Sequence, residues 1–181
     1  APYRPDNIYG VAKAAADQSA LLYAAHHRLQ VMVARPSNHI GAGQSKDFVS
    51  SAFAAQLAGI AAGAAPVIRV GNLDQRRDFT DVRDVARAYA LLLEQGQAGR
   101  AYNIASGRML AVRTIFDTLC AIAQVHPRVE IDPALFRPTD DRPSYDTARI
   151  RDHVGWQPEI PLRQTLETVY ADTLARRSAE A

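Results

Sequence analysis

Tyr9 and Lys13 are the first residues whose types and spacing could do chemistry. They stand four apart in "IYGVAK", at the head of an alanine-rich run, so on a helix they share one face. The chain has 19 arginines and two lysines, Lys13 and Lys46, so a lysine here stands out against the chain's own habit. A free phenol titrates near pH 10, at about the wrong place for proton exchange at neutral pH. A cation within ~4–6 Å stabilises the phenolate and brings such a group toward working pH, which a general acid/base tyrosine needs. The same spacing also describes an ordinary surface Tyr–Lys pair, and the motif alone does not separate the two.

A second group lies in "GNLDQRRDF", where Arg76 and Arg77 follow a glycine-bearing turn. Guanidinium forks bind phosphate oxygens bidentately, although adjacent arginines also suit a solvated loop. Asp81 and Asp84 fall at a helix start, where carboxylates complement the helix dipole, and no chemistry is assigned to them. Cys120 sits on an apolar stripe beside Phe116 and Ile122 and reads as a core thiol. A single cysteine excludes an intramolecular disulfide framework and a multi-cysteine metal site. His26 and His27 have nothing at metal-ligand spacing near them, so no metal is expected.

These residues need elements to hold them. The spacing predicts helices over about 7–28, 47–63, 81–95, 112–124, 146–154 and 162–177, the second stopped by Gly63 and the third by Gly96. Asp6 or Asn7 is placed to cap the first. Short β-branched runs predict strands at 30–36, 66–71, 100–106 and 128–132, with a further short strand after the 71–79 loop. "SNHIGAGQSKD" reads as loop, and 133–146 as a proline-rich loop. Strands alternating with helices predict an α/β fold with a largely parallel sheet. Length, 48% hydrophobic content and a formal charge of +2 fit one ordinary globular domain with no electrostatic case for nucleic acid. No run is long and apolar enough for a membrane span.

The motifs "YGVAKAAAD", "ARPSNHIGAGQ", "GNLDQRRDFTDVRDVARAYALLL", "YNIASG", "RPTD" and "GWQP" occur in one order. In this the chain resembles the extended short-chain dehydrogenase/reductase family of nucleotide-sugar epimerases, dehydratases and reductases. Within it, the chain is most similar to the branch of GDP-mannose 4,6-dehydratases and GDP-4-keto-6-deoxymannose reductases. The resemblance implies a Rossmann-like parallel sheet, C-terminal part only, with a small α/β substrate-binding lobe. It implies residues 1–110 as the C-terminal part of a dinucleotide-binding domain with substrate-lobe segments interleaved, and 111–181 as mainly the sugar-nucleotide lobe.

By the same resemblance, Tyr9 matches the catalytic tyrosine and Lys13 the lysine that holds the nicotinamide ribose and tunes it. Pro36 matches a residue against the nicotinamide of NADP or NAD, and His39 is a neighbouring candidate there or on the substrate side. Asn38, Asn72, Arg77, Arg137 and Asp140 match positions that contact a nucleotide-sugar, here a GDP-hexose, with Arg142 a competitor for the second phosphate arginine. The implied chemistry is reduction of a GDP-4-keto-6-deoxyhexose at C4, with dehydration or 4-epimerisation as alternatives. A cytoplasmic homodimer through helices 10–28 and 47–62 is also implied. The family's Gly-rich dinucleotide fingerprint is not found in these residues, so the expectation is the C-terminal portion of a longer enzyme whose activity as this piece is doubtful.

Overall fold

A computed structural model describes residue 5 and residues 7–27, 29–136 and 144–180. Helix α1 (Ile8–His27) begins where the Asn7 side chain accepts a hydrogen bond from Gly10 N at 2.8 Å, the cap anticipated from sequence. Strand β1 (Val33–Pro36) follows, three residues shorter at its start than expected. The segment read as loop contains a strand, β2 (Asn38–Ile40), before helix α2 (Val49–Ala61). Gly63 ends that helix with φ +97°, a conformation that L side chains rarely adopt.

Strands β3 (Val67–Val70) and β4 (Arg76–Asp81) lead into helix α3 (Val82–Gln95). Gly96 stops α3 for a reason of space. Its φ is ordinary, but a Cβ there would run into the Met32 sulfur and the Leu92 carbonyl. Strand β5 (Ala101–Ile104) is followed by an unanticipated three-residue strand, β6 (Met109–Ala111), then helix α4 (Val112–Ala123) and strand β7 (Arg128–Ile131). A 3-10 turn at Pro133–Leu135, helix α5 (Ala148–Val154) and helix α6 (Leu162–Glu180) complete the described chain.

The fold is α/β with parallel pairing, as the alternation predicts. Among the described residues, three of the four strand pairs are parallel: β1 with β5, β2 with β4, and β3 with β7. The strands do not lie in one sheet. They form separate two-, three- and two-stranded sheets, and β4 pairs antiparallel with β6. Strands of three to six residues make short ladders, so side-chain burial on the helices carries most of the cohesion.

Two apolar cores result. In the first, α4 contributes Val112, Ile115, Phe116 and Leu119 at helical spacing, facing Phe53, Ala54 and Leu57 of α2 and Leu166 and Val169 of α6. Phe53 meets Phe116 edge-on, with centroids 5.6 Å apart. In the second, Val85, Ala88 and Leu92 of α3 pack with Tyr102, Ile104, Ile150, Val154 and Trp156. Trp156 is 1% exposed. Its indole N–H donates to the Asp84 carbonyl at 3.0 Å. Helix α1 stands apart from both cores and buries none of its residues.

Candidate active site

Helix α1 presents Tyr9 and Lys13 on its exposed side, the Lys13 Nζ 5.5 Å from the centroid of the Tyr9 ring. The i, i+4 geometry therefore forms as the spacing requires. Tyr9 is 72% exposed.

Strand β1 ends at Pro36, and the chain turns through Ser37 into Asn38 and His39 on β2. Asn38 pairs in register with Phe79 of β4, which places it close to the strand that carries Arg77. The residue that organises this junction is Asp78, 1% exposed. Its Oδ1 accepts from the Ser37 hydroxyl at 3.0 Å and from Ser106 N at 2.8 Å. Its Oδ2 accepts from Arg108 N at 3.1 Å, and its backbone carbonyl accepts from the Asn38 side-chain amide at 3.1 Å. One carboxylate thus ties the β1–β2 turn to the Ser106–Arg108 turn, and its own main chain orients Asn38. Alternation along β4 sends Asp78 inward while its neighbour Arg77 faces the other way. Arg77 is half-buried and donates from Nη1 to the Arg76 carbonyl at 2.8 Å.

Sequence reasoning does not single out Asp78. The available signal is its place in "RRDFTD": in a strand, an acid between an arginine and a buried phenylalanine alternates onto the face opposite its basic neighbour. The donors it needs come from residues 28 and more positions away, which no local pattern displays.

The His39 ring lies 3.2 Å from the Ser37 carbonyl through Nδ1, so Nδ1 carries the proton in that contact. Its own carbonyl accepts from Gln44 Nε2 at 3.0 Å. Asn72 sits in the β3–β4 connection, where its side chain accepts from Asp74 N at 2.9 Å, an Asx turn. Arg137, Asp140 and Arg142 lie outside the described residues. A cleft of ≈ 530 Å³ opens near Phe79, Ser106, Arg108, Leu110, Arg151 and Trp156. Tyr9, Lys13, Asn38 and Arg77 are not in its lining.

Asp81 and Asp84 are structural. Asp81 caps α3, its carboxylate accepting from Arg83 N at 2.8 Å, from the Arg83 guanidinium, and from the Thr165 hydroxyl at 2.7 Å. Burial pushes its carboxyl up, but the bonds from Arg83 and Thr165 outweigh that and hold it below the usual carboxylate range. Asp84 accepts from Glu159 N and Ile160 N at 3.0 and 2.9 Å, and from Arg87 at 2.9 Å, latching the 155–161 segment to α3. Burial pushes the Cys120 thiol up to about 11, with the Asp117 charge adding to it, so it is a poor nucleophile. Among the described residues, no group of histidine, cysteine and acidic side chains could hold a metal ion.

The family model described as GDP-mannose 4,6 dehydratase matches residues 1–169. This chain belongs to that family. It is 40% identical over 174 residues to the GDP-6-deoxy-D-mannose reductase of Pseudomonas aeruginosa, covering 95% of this chain and 57% of that one. A structure of RMD from Pseudomonas aeruginosa complexed with NADPH superposes with TM-score 0.90 at 39% identity, over 96% of this chain and 58% of the other. A dTDP-glucose 4,6-dehydratase from Bacillus anthracis in complex with NAD has TM-score 0.84 at 21% identity, over 98% and 55%, a likeness of fold. The chain therefore spans just over half the length of the family members it matches.

Proposed function

We propose that this chain carries the proton-donating and sugar-nucleotide-binding part of an NAD(P)-dependent enzyme that reduces a GDP-4-keto-6-deoxyhexose at C4. The observation that carries the reading is the Tyr9–Lys13 pair on one open helix face, 5.5 Å from ammonium to ring. Its support is the likeness to the GDP-6-deoxy-D-mannose reductase of Pseudomonas aeruginosa. The NADPH complexed with the similar RMD protein supports the cofactor class.

In this reading the Tyr9 hydroxyl hydrogen-bonds the C4 carbonyl oxygen of the sugar. A reduced nicotinamide, when bound, supplies the hydride to C4. Tyr9 passes its proton to the oxygen, so the C=O π bond is exchanged for one C–H and one O–H bond. Lys13 holds ribose hydroxyls and offers positive charge to the phenolate that forms. Pro36 walls the nicotinamide side and His39 flanks it. Asn38 and Asn72 contact the sugar nucleotide, and Arg77, Arg137 and Asp140 hold its diphosphate and ribose. Tyr9 and Lys13, exposed together on one helix face, would hold the nicotinamide end of the cofactor. The 181 residues supply no Gly-rich turn for its pyrophosphate.

Residues 1–110 belong to the dinucleotide side with substrate-lobe segments interleaved, and 111–181 mainly to the sugar-nucleotide lobe. The protein works in the cytoplasm as a homodimer. A second reading is a sugar-nucleotide-binding or structural module without turnover. Dehydration or 4-epimerisation of the same substrate class is the alternative chemistry.

Calorimetry with GDP on the 181-residue chain separates binding from structure. Binding that is lost in Arg77→Ala supports the pocket, and a folded chain with no GDP affinity favours the purely structural role. For catalysis, NADPH is mixed with GDP-4-keto-6-deoxymannose in the active enzyme and the reduced-nicotinamide absorbance is followed. Tyr9→Phe should lower kcat by about 10²–10⁴ with GDP affinity unchanged. Undiminished turnover in that variant rejects Tyr9 as the acid.

A further inference from the structure

Asp17 is a nearly buried carboxylate on helix α1. Its side chain is 10% exposed, and its Oδ2 receives the Arg35 Nε at 2.6 Å. Its other oxygen, Oδ1, is fully buried and has no hydrogen-bond partner. A half-satisfied buried carboxylate is costly, so it calls for a reason. The fold gives one. Asp17 follows Lys13 by four residues and Tyr9 by eight, about one and two turns further along α1. Arg35 is the residue before Pro36 at the end of β1, which leads through Ser37 into Asn38 and His39. The ion pair therefore joins the helix bearing the proposed acid to the strand that ends at the proposed nicotinamide and sugar contacts.

We propose that Asp17 and Arg35 are a positioning pair, which pins α1 to β1 and so fixes the distance between Tyr9–Lys13 and the Pro36–His39 turn. This rests on the proposed function above, in which those two groups act on one substrate. The physical argument is leverage. Among the described residues α1 sends nothing into either core, so the Asp17–Arg35 pair is a tie between it and β1, and Tyr9 lies about 12 Å along the axis from Asp17 at 1.5 Å per residue. A small rotation or slide at the tether becomes a displacement of an ångström or more at the phenol. Misplacement of about 1 Å is enough to cost on the order of 10² in rate. The two groups touch no reacting atom, so they are positioning and not catalytic residues.

The distance can be measured without turnover. Spin labels at Ile8→Cys and Ala42→Cys, in a Cys120→Ser background and diluted with unlabelled chain so that each dimer carries one labelled copy, should give one narrow distance distribution. Asp17→Asn should broaden it or move its centre by more than about 1 Å, and Asp17→Glu should keep it narrow. An unchanged distribution in Asp17→Asn overturns the proposal. In the active enzyme, Asp17→Asn should lower kcat about tenfold or more, leave KM for the nucleotide-sugar within about twofold, and be largely rescued in Asp17→Glu. A moved distribution with kcat intact also overturns it, since the pair would then be a tether without consequence for chemistry. Should Tyr9→Phe prove harmless, or the enzyme prove inactive, the functional reading fails, and the label distances alone decide whether the pair fixes the helix.

Discussion

At the scale of single residues, the candidate site depends on an acid that does no chemistry. Asp78 takes two backbone N–H groups and one hydroxyl into a buried carboxylate, and its carbonyl takes the Asn38 amide. Replacing it with Asn keeps the shape but puts an NH₂ where donors already point. Asp78→Asn should therefore lose about 1–3 kcal/mol of stability, the cost of leaving buried donors unsatisfied, and weaken GDP binding through Asn38 and Arg77. Urea unfolding and calorimetry on the same preparation check both. Ser37→Ala removes one donor and should show the milder form, below about 1.5 kcal/mol. A stable Asp78→Asn protein that binds GDP as tightly as the parent would show that the carboxylate does not organise the pocket. The Tyr9–Lys13 pairing, by contrast, is legible from spacing alone, because a helix fixes the i, i+4 relation whatever surrounds it.

At the scale of elements, Asp81 gives a signed pH dependence. Its carboxyl lies below its ordinary value, because bonds from Arg83 and Thr165 outweigh the opposing effect of burial. A depressed folded pKa means that the charged form stabilises the fold. That stabilisation is complete above the unfolded carboxylate value, near 4. It is lost as pH falls through the lowered folded value. Asp81→Asn should cost about 1–3 kcal/mol at pH 7, and its urea midpoint should converge on the parent's as the pH falls through the lowered folded value. Parallel curves from neutral to acid pH would remove Asp81 from the acid response. The cap is readable in sequence, since Asp before an amphipathic run is a standard helix start and Val85, Ala88 and Leu92 follow at helical spacing. Strands β2 and β6 are not. Each has three residues, too few to show alternation, and "NHI" looks like a polar turn. They are strands because β4 lies between them and supplies their hydrogen bonds. The same dependence on distant partners hides the division into three small sheets.

At the scale of the whole molecule, the two cores leave α1 outside, with Val11, Leu22 and Tyr23 each more than half exposed. Exposed apolar side chains recurring on an alanine-rich helix are what a helix–helix interface needs: small residues that let axes approach, and larger ones to fill the gaps. Helix α2 turns Phe53, Ala54, Leu57 and Ala58 inward and leaves the half-buried Ala55 and Ile60 at its margin. Pairing through residues 10–28 and 47–62 of two copies would cover both surfaces and would brace the helix that carries Tyr9 and Lys13. Sedimentation velocity at micromolar concentration should then show a dimer. Leu22→Arg should shift it toward monomer while leaving the thermal midpoint of the two cores nearly unchanged, because Leu22 belongs to neither core. If the dimer braces α1, that variant should also raise hydrogen exchange across Ile8–His27 without raising it in α4, whose stripe is closed within one copy. A monomer in the parent at that concentration, with α1 exchange the same in both proteins, would mean that the helix keeps its order without a second copy.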